Sequence, residues 1–181
     1  MLVILAAFGS ALASATGADA GVVAPPSLPV TVQVYFSPHG GCTEAIIAAV
    51  DAAKRTVLVQ AYSFTSVPIA RALKAAKERG IDVRVILDKS QRSERYTSAD
   101  FLANAGIPVW IDDKPAIAHS KVMVIDGGTV VTGSFNFTKA AENANVENLL
   151  VLKSDYLAKV YAGNWEERLR VSVNYRVKKP E

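Results

Sequence analysis

The stretch "AHSKVMVIDGGTVVTGSFNF", residues 118–137, decides how the rest of the chain is read. Two apolar runs, 119–126 and 129–135, flank Gly127-Gly128, which is a hairpin turn signal. Residues two apart on a strand point the same way. His119 and Lys121 therefore share one face, and Ser134 and Asn136 share one face of the next strand. Pairing of the two strands brings the two polar pairs together. The intervening Ser120, Val122, Phe135 and Phe137 point the other way and are free to pack. An imidazole, a cation, a hydroxyl and an amide gather on one patch. A lysine buried beside a histidine is costly unless an anion is expected there. Lys and Asn donors suit the non-bridging oxygens of a phosphate.

Outward from this hairpin the chain reads as alternating strands and helices. Residues 30–36 ("VTVQVYF") alternate like a strand, and 43–54 carry helical spacing at Ile46, Ile47, Val50 and Ala53 with Thr43 as N-cap. A strand over 56–64 follows. A helix over 67–80 has Pro68 in its first turn and Gly80 at its end, and a strand covers 81–87. This β-α-β-α-β order predicts parallel pairing with covering helices. A short helix (99–106), a strand (107–111), the hairpin, a strand (146–152) and an amphipathic helix (155–171) complete the series. The expected fold is α/β, with a mixed, largely parallel sheet flanked by helices on both faces.

The chain has 181 residues, half of them apolar and 20% charged, which suits one domain over 30–175 with a tail at 176–181. The formal charge of +3 and pI of about 9.0 are compatible with a polyanionic partner without requiring one. Residues 1–20 combine an apolar run from Leu2 to Phe8 with small residues. Ala18-Asp19-Ala20 resembles a cleavage site, and Ala11-Leu12-Ala13 is a second candidate. The segment is read as a signal peptide followed by a linker, 21–29, which implies a periplasmic or secreted protein. The apolar run is too short to span a bilayer, so no stable membrane insertion is expected after cleavage. Cleavage after Ala20 removes one Asp and no Lys or Arg, leaving a formal charge of +4. Cys42, the only cysteine, cannot form an intrachain disulfide and is read as a small buried residue near a helix start. No His/Asp/Glu ligand cluster stands out in the sequence. The polar, basic loop 88–98 offers Lys89, Arg92 and Arg95 as a clamp on a phosphate backbone, or simply as a solvated loop.

His119-x-Lys121-x4-Asp126-x6-Gly133-Ser134-x-Asn136 resembles the H-x-K-x4-D-x6-G-S-x-N motif of the phospholipase D superfamily at every fixed position. "YSFT" (62–65) and "GSFNFTKAAENANVEN" (133–148) look like the small exported bacterial endonucleases of that superfamily, and the likeness spans roughly residues 30 to 170. The resemblance implies a phospholipase D-like α-β-α sandwich and a two-step mechanism. His119 attacks phosphorus to give a phosphohistidine, and another histidine protonates the leaving oxygen and then activates water. It further implies that Lys121 and Asn136 hold phosphoryl oxygens, with Ser134 assisting, so that these groups replace a metal and neither a metal nor another cofactor is expected. Glu147 would orient the imidazole, and Asp126 would act as support near the turn.

One imidazole cannot attack and donate a proton in the same in-line step. Larger superfamily members carry two H-x-K motifs, whereas this chain carries one. His39, the only other histidine, has no lysine at the matching spacing. A homodimer sharing one site across a two-fold axis resolves this economically. The expected substrate is DNA, with RNA as a further candidate. A phospholipase acting on lipid head groups and a DNA-binding module that has lost catalysis stand as alternatives.

Overall fold

The computed structural model describes residues 30–177. The signal peptide and the linker expected over 1–29 lie outside the described residues, as does all of the tail beyond 177. The strands are β1 (Thr31–Ser37), β2 (Thr56–Ala61), β3 (Asp82–Asp88), β4 (Val109–Asp112), β5 (Lys121–Ile125), β6 (Thr129–Gly133), β7 (Glu147–Lys153) and β8 (Val173–Asn174). The helices are α1 (Cys42–Asp51), α2 (Val67–Glu78), α3 (Ala99–Asn104), α4 (Lys139–Asn143) and α5 (Asp155–Val171), with a 3-10 turn at Lys89–Arg92.

All eight strands join one sheet in the order β1-β7-β6-β5-β2-β3-β4-β8. The α/β class holds, but parallel pairing is confined to β2–β3 and β3–β4, and every other pair is antiparallel. The departure has a local cause at β1. It does not lie beside β2 but pairs antiparallel with β7, from Thr31 opposite Lys153 to Ser37 opposite Glu147. The Ser37 hydroxyl locks that end, donating to the Asn145 carbonyl at 3.0 Å and accepting from the Glu147 N–H at 3.1 Å.

The two faces carry different cores. On one, Val57, Val59, Met123, Ile125 and Val131 pack with Ile46 of α1, Leu73 of α2 and Leu102 of α3. On the other, Val122, Val124 and Val130 meet Ala158, Leu157 and Tyr161 of α5. Trp165 of α5 is fully buried, and its indole N–H donates to the Val59 carbonyl at 3.0 Å. α1 is capped differently from expectation. Gly41, not Thr43, is its N-cap and gives no side-chain bond. The Glu142 carboxylate of α4 accepts from the Gly41 and Thr43 N–H groups at 3.2 and 2.7 Å, placing a negative charge at the positive end of the helix. Cys42 beside it is fully buried, and burial, with Glu142 and Glu44, pushes its thiol up to about 11.

Candidate active site

The hairpin forms, with its turn centred on Asp126-Gly127, one residue before the expected Gly127-Gly128. Gly128 N–H bonds the Ile125 carbonyl at 3.1 Å across Asp126 and Gly127, both at positive φ (54° and 69°). A turn with two left-handed central residues matches the twist of the flanking strands. Val122 pairs with Thr132 and Ile125 with Thr129. His119 lies just before β5 and Lys121 opens it.

β6 ends at Gly133, so Ser134 and Asn136 lie beyond the strand rather than on it. Gly133 has φ 149°, and a Cβ there would sit 2.3 Å from the Asn148 carbonyl oxygen. Only glycine permits this approach, and through it the Ser134 and Phe135 N–H groups both reach that oxygen, at 3.1 and 3.2 Å. The chain then crosses to the end of β2, where Phe137 bridges Phe64. Phe135 and Phe137 are fully buried, and Phe137 meets Phe64 edge-on at 5.6 Å. Each buried aromatic is worth about 1.5–3 kcal/mol. Together they peg the segment that presents Ser134 and Asn136.

Because β6 stops short, a depression of about 350 Å³ opens, lined by His119, Lys121, Gly133, Ser134, Asn136 and Glu147. It lies at the carboxyl ends of the parallel strands β2 and β3, the edge at which open α/β sheets bind ligands. Lys121 is 7% exposed. Its Nζ donates to the His119 carbonyl at 2.8 Å and lies 3.1 Å from each imidazole nitrogen. Burial lowers its pKa, and Glu147 pulls in the opposite direction. Asn136 keeps Oδ1 buried without a hydrogen-bond partner. Among the described residues Lys121 has no carboxylate within salt-bridge distance, and this buried cation, with the side-chain N–H of Asn136 rather than its Oδ1, suits an oxyanion. The Ser134 hydroxyl accepts from the Asn148 N–H at 3.0 Å.

Glu147 stands differently from expectation, and Asp126 stands apart from the depression. Glu147 lines the depression, but its hydrogen bond comes from Asn145 Nδ2 at 3.1 Å, and none joins it to His119. The imidazole is instead packed against Tyr62, ring centres 4.5 Å apart. Asp126 lies outside the group. It sits at the far end of β5, where its carboxylate accepts from the Lys54, Arg55 and Thr56 N–H groups at 2.8, 2.7 and 2.9 Å. Burial pushes its pKa up, but those backbone bonds and Arg55 outweigh it, so the net shift is downward. Asp126 ties the α1–β2 connection to the hairpin, a supporting place near the turn.

Two further residues are not evident from the sequence. Tyr62 reads as part of a continuous strand, although β2 ends at Ala61. Asp88, 2% exposed at the end of β3, accepts from the Ser90 N–H at 2.8 Å and the Ala118 N–H at 2.7 Å. It thereby fixes the residue before His119. An acid at the end of an apolar strand is the signal that points to it. Of the loop cations, Lys89 donates to the Pro115 carbonyl and Arg92 pairs with Asp113. Arg95 lies 5.4 Å from the ring centre of Tyr96. Two of the three therefore brace the 113–115 segment that leads into His119. His39 is exposed, and its backbone N–H bonds the Glu142 carbonyl.

A mixed sheet holding His, Lys, Ser and Asn around one anion-sized depression defines the phospholipase D class of fold and site. Residues 46–169 match the family described as "Cardiolipin synthase, PLD-like domain". A phospholipase D of Rickettsia conorii is 41% identical over 137 residues, covering 76% of this chain and 68% of its own. The mitochondrial cardiolipin hydrolase of Xenopus laevis is 32% identical over 163 residues, covering 82% of this chain and 78% of its own. The crystal structure of a phospholipase D family member, Nuc from Salmonella typhimurium, superposes with a TM-score of 0.79 at 40% identity, over 82% of this chain and all of that one. The chain belongs to the phospholipase D superfamily.

Proposed function

We propose that this protein is a metal-independent phosphodiesterase that cleaves nucleic acid, DNA foremost, without strong sequence preference, at a site completed by a second copy of the chain. The observation that carries the reading is the convergence of His119, Lys121, Ser134 and Asn136 on one depression. His119 attacks phosphorus and the P–O bond to the leaving group breaks. The imidazolium of the partner's His119 supplies the proton that the leaving oxygen takes up. Water then attacks the phosphohistidine, passing its proton to that second imidazole, and His119 is released. Lys121 and Asn136 stabilise the charge on the non-bridging oxygens, the role a metal ion fills elsewhere.

Support for nucleic acid comes from the basic balance of the chain and from the likeness of residues 133–148 to small exported endonucleases. The segment before Val30 supports export, with action in the periplasm or outside the cell. Lipid hydrolysis is the second reading, favoured by relatives named phospholipase D and cardiolipin hydrolase. Among the described residues no helix is long and apolar enough to cross a membrane, and no group of three or more His, Cys, Asp and Glu could hold a metal ion. The test is one panel with plasmid DNA, single-stranded DNA, RNA and phosphatidyl vesicles, each with and without EDTA. Cleavage of nucleic acid that survives EDTA is expected. Turnover of lipid alone would replace this reading with the second. Activity lost to EDTA and restored by a divalent ion would overturn the mechanism. Binding to DNA with no turnover of any substrate, nor of bis(p-nitrophenyl) phosphate, would mark a catalytically inactive DNA-binding module.

A further inference from the structure

The loop 88–98 carries an aromatic side chain that the site described above does not use. Tyr96 is 69% exposed. A single exposed apolar side chain is ordinary on a protein surface. Tyr96 is not single. With Val67 of α2, 55% exposed, and Phe101 of α3, 41% exposed, it lines a shallow depression of about 120 Å³ whose wall also holds Thr65 and Thr97. The loop is tied down at this point. Gln91 is 1% exposed, and its Oε1 accepts from the Phe64 N–H at 3.2 Å and from the Thr97 hydroxyl at 3.1 Å. The Ser98 N–H donates to the Phe64 carbonyl at 2.8 Å. Phe64 in turn lies two residues beyond Tyr62, whose ring packs on His119. Thr65 is one residue further, so its Cα lies at most about 11 Å from that of Tyr62. That is about three nucleotides of a strand, at about 3.4 Å each.

We propose that this depression takes an unpaired base of the strand whose phosphodiester lies at His119, stacked on the ring of Tyr96. The inference rests on the nucleic-acid reading above and adds a contact that senses bases rather than backbone. Two observations favour a base over another occupant. First, the aromatic surface comes with a cation. The Arg95 guanidinium lies 5.4 Å from the Tyr96 ring centre, beside the place where a stacked nucleotide would bring its phosphate. Exposed aromatic rings interleaved with cations are how single strands are held, because every base has a π-face. Second, the depression is short and edged by the hydroxyl-bearing Thr65, Thr97 and Ser98, which suits a flat polar ring and not an acyl chain. A base within a duplex is already paired and stacked, so only an unpaired one enters.

The experiment compares kcat/KM of the parent, Tyr96→Ala and Tyr96→Phe on a single-stranded oligothymidylate, on an abasic strand of the same length, and on the oligothymidylate paired with its complement. The abasic strand keeps the phosphates and lacks the bases. The parent is expected to prefer the strand with bases. Tyr96→Ala is expected to lose at least about fivefold of that preference, mainly through KM, and Tyr96→Phe to keep it. On the paired strand Tyr96→Ala is expected within about twofold of the parent, because no base is free to stack. A parent that treats the first two strands alike, or a Tyr96→Ala variant that keeps the full preference, overturns the base site and leaves the nucleic-acid reading standing. Equal losses on all three substrates overturn it as well, since Tyr96 would then only hold the loop. Equal losses in Tyr96→Phe and Tyr96→Ala assign the effect to the hydroxyl and overturn stacking. A parent that cleaves none of the three but hydrolyses phosphatidyl vesicles overturns the nucleic-acid reading itself.

Discussion

The phenol ring of Tyr62 lies 4.5 Å from the imidazole of His119, tilted by 54°, and its centre is 5.2 Å from the Lys121 ammonium. One half-buried side chain thus touches both the expected nucleophile and the expected phosphate ligand. His119 is itself exposed and has no carboxylate bonded to its ring, so this contact limits where the imidazole can point. Tyr62→Phe keeps the ring, and its kcat is expected within about twofold of the parent. Tyr62→Leu removes an aromatic pair worth about 0.5–1.5 kcal/mol, so a loss of up to about tenfold in kcat is expected. Equal kcat for the Leu and Phe variants on bis(p-nitrophenyl) phosphate would remove Tyr62 from this role.

Asp126 separates support from chemistry within the motif. Asp126→Asn tolerates the left-handed backbone but loses the charge that serves three N–H groups. Charged hydrogen bonds are worth about 1.5–3 kcal/mol each and do not add fully, so Tm is expected to fall by about 3–8 °C with kcat unchanged. The pH dependence has a definite sign. The folded carboxylate titrates below its unfolded value of about 3.9, so its stabilisation is fully present above that value and is lost as pH falls through the folded one. The stability gap between parent and variant should therefore close on acidification below about pH 4. A collapse of kcat at constant Tm would return Asp126 to the chemistry.

Mixing of chains tests the sharing of the site. His119→Ala homodimers lack both nucleophile and acid, and mixed dimers keep one imidazole. After subunit exchange, activity is expected to follow the square of the parent fraction. His39→Ala should change little. A linear fall, together with a dead His39→Ala variant, would mean that each chain holds a complete site and that His39 is its acid.

Replacing Lys89, Arg92 and Arg95 together tests the loop. Each cation that no longer pairs with a phosphate lowers the salt slope of DNA binding by about one unit. Lys89 and Arg92 already have acceptors within the chain, so a reduction of about one to two units is expected rather than three. An unchanged slope excludes the loop from the interface.

Much of the site is legible in the sequence, because it lies within twenty residues of a hairpin whose turn and alternation are both local. The grouping of His119 and Lys121 follows from local spacing, whereas Ser134 and Asn136 line the same depression although they lie beyond β6, off the strand whose alternation pointed to them. The order of the strands does not follow from spacing. Alternation tells which way β1 faces but not which strand it joins, and its partner β7 lies more than a hundred residues away. The same distance hides Glu142, whose carboxylate caps α1 although Thr43 is the local candidate. Tyr62 is hidden by a boundary: "TVLVQAYSF" reads as one strand, and only the end of β2 at Ala61 frees the next side chain to turn onto His119.

The pairing of β1 with β7 also bears on the order in which the molecule assembles. β2, α2 and β3 are neighbours in sequence and can associate early, whereas β1 must wait for residues 147–153 to be made and placed. Closing so long a loop is slow relative to local contacts. The wall of the depression that Glu147 provides is therefore among the last parts of the molecule to form, and a chain interrupted before β7 has His119 and Lys121 but no cleft around them. Pulse-labelled hydrogen exchange during refolding should protect the amides of β1 and β7 after those of β2 and β3, with catalytic competence arriving in the later phase.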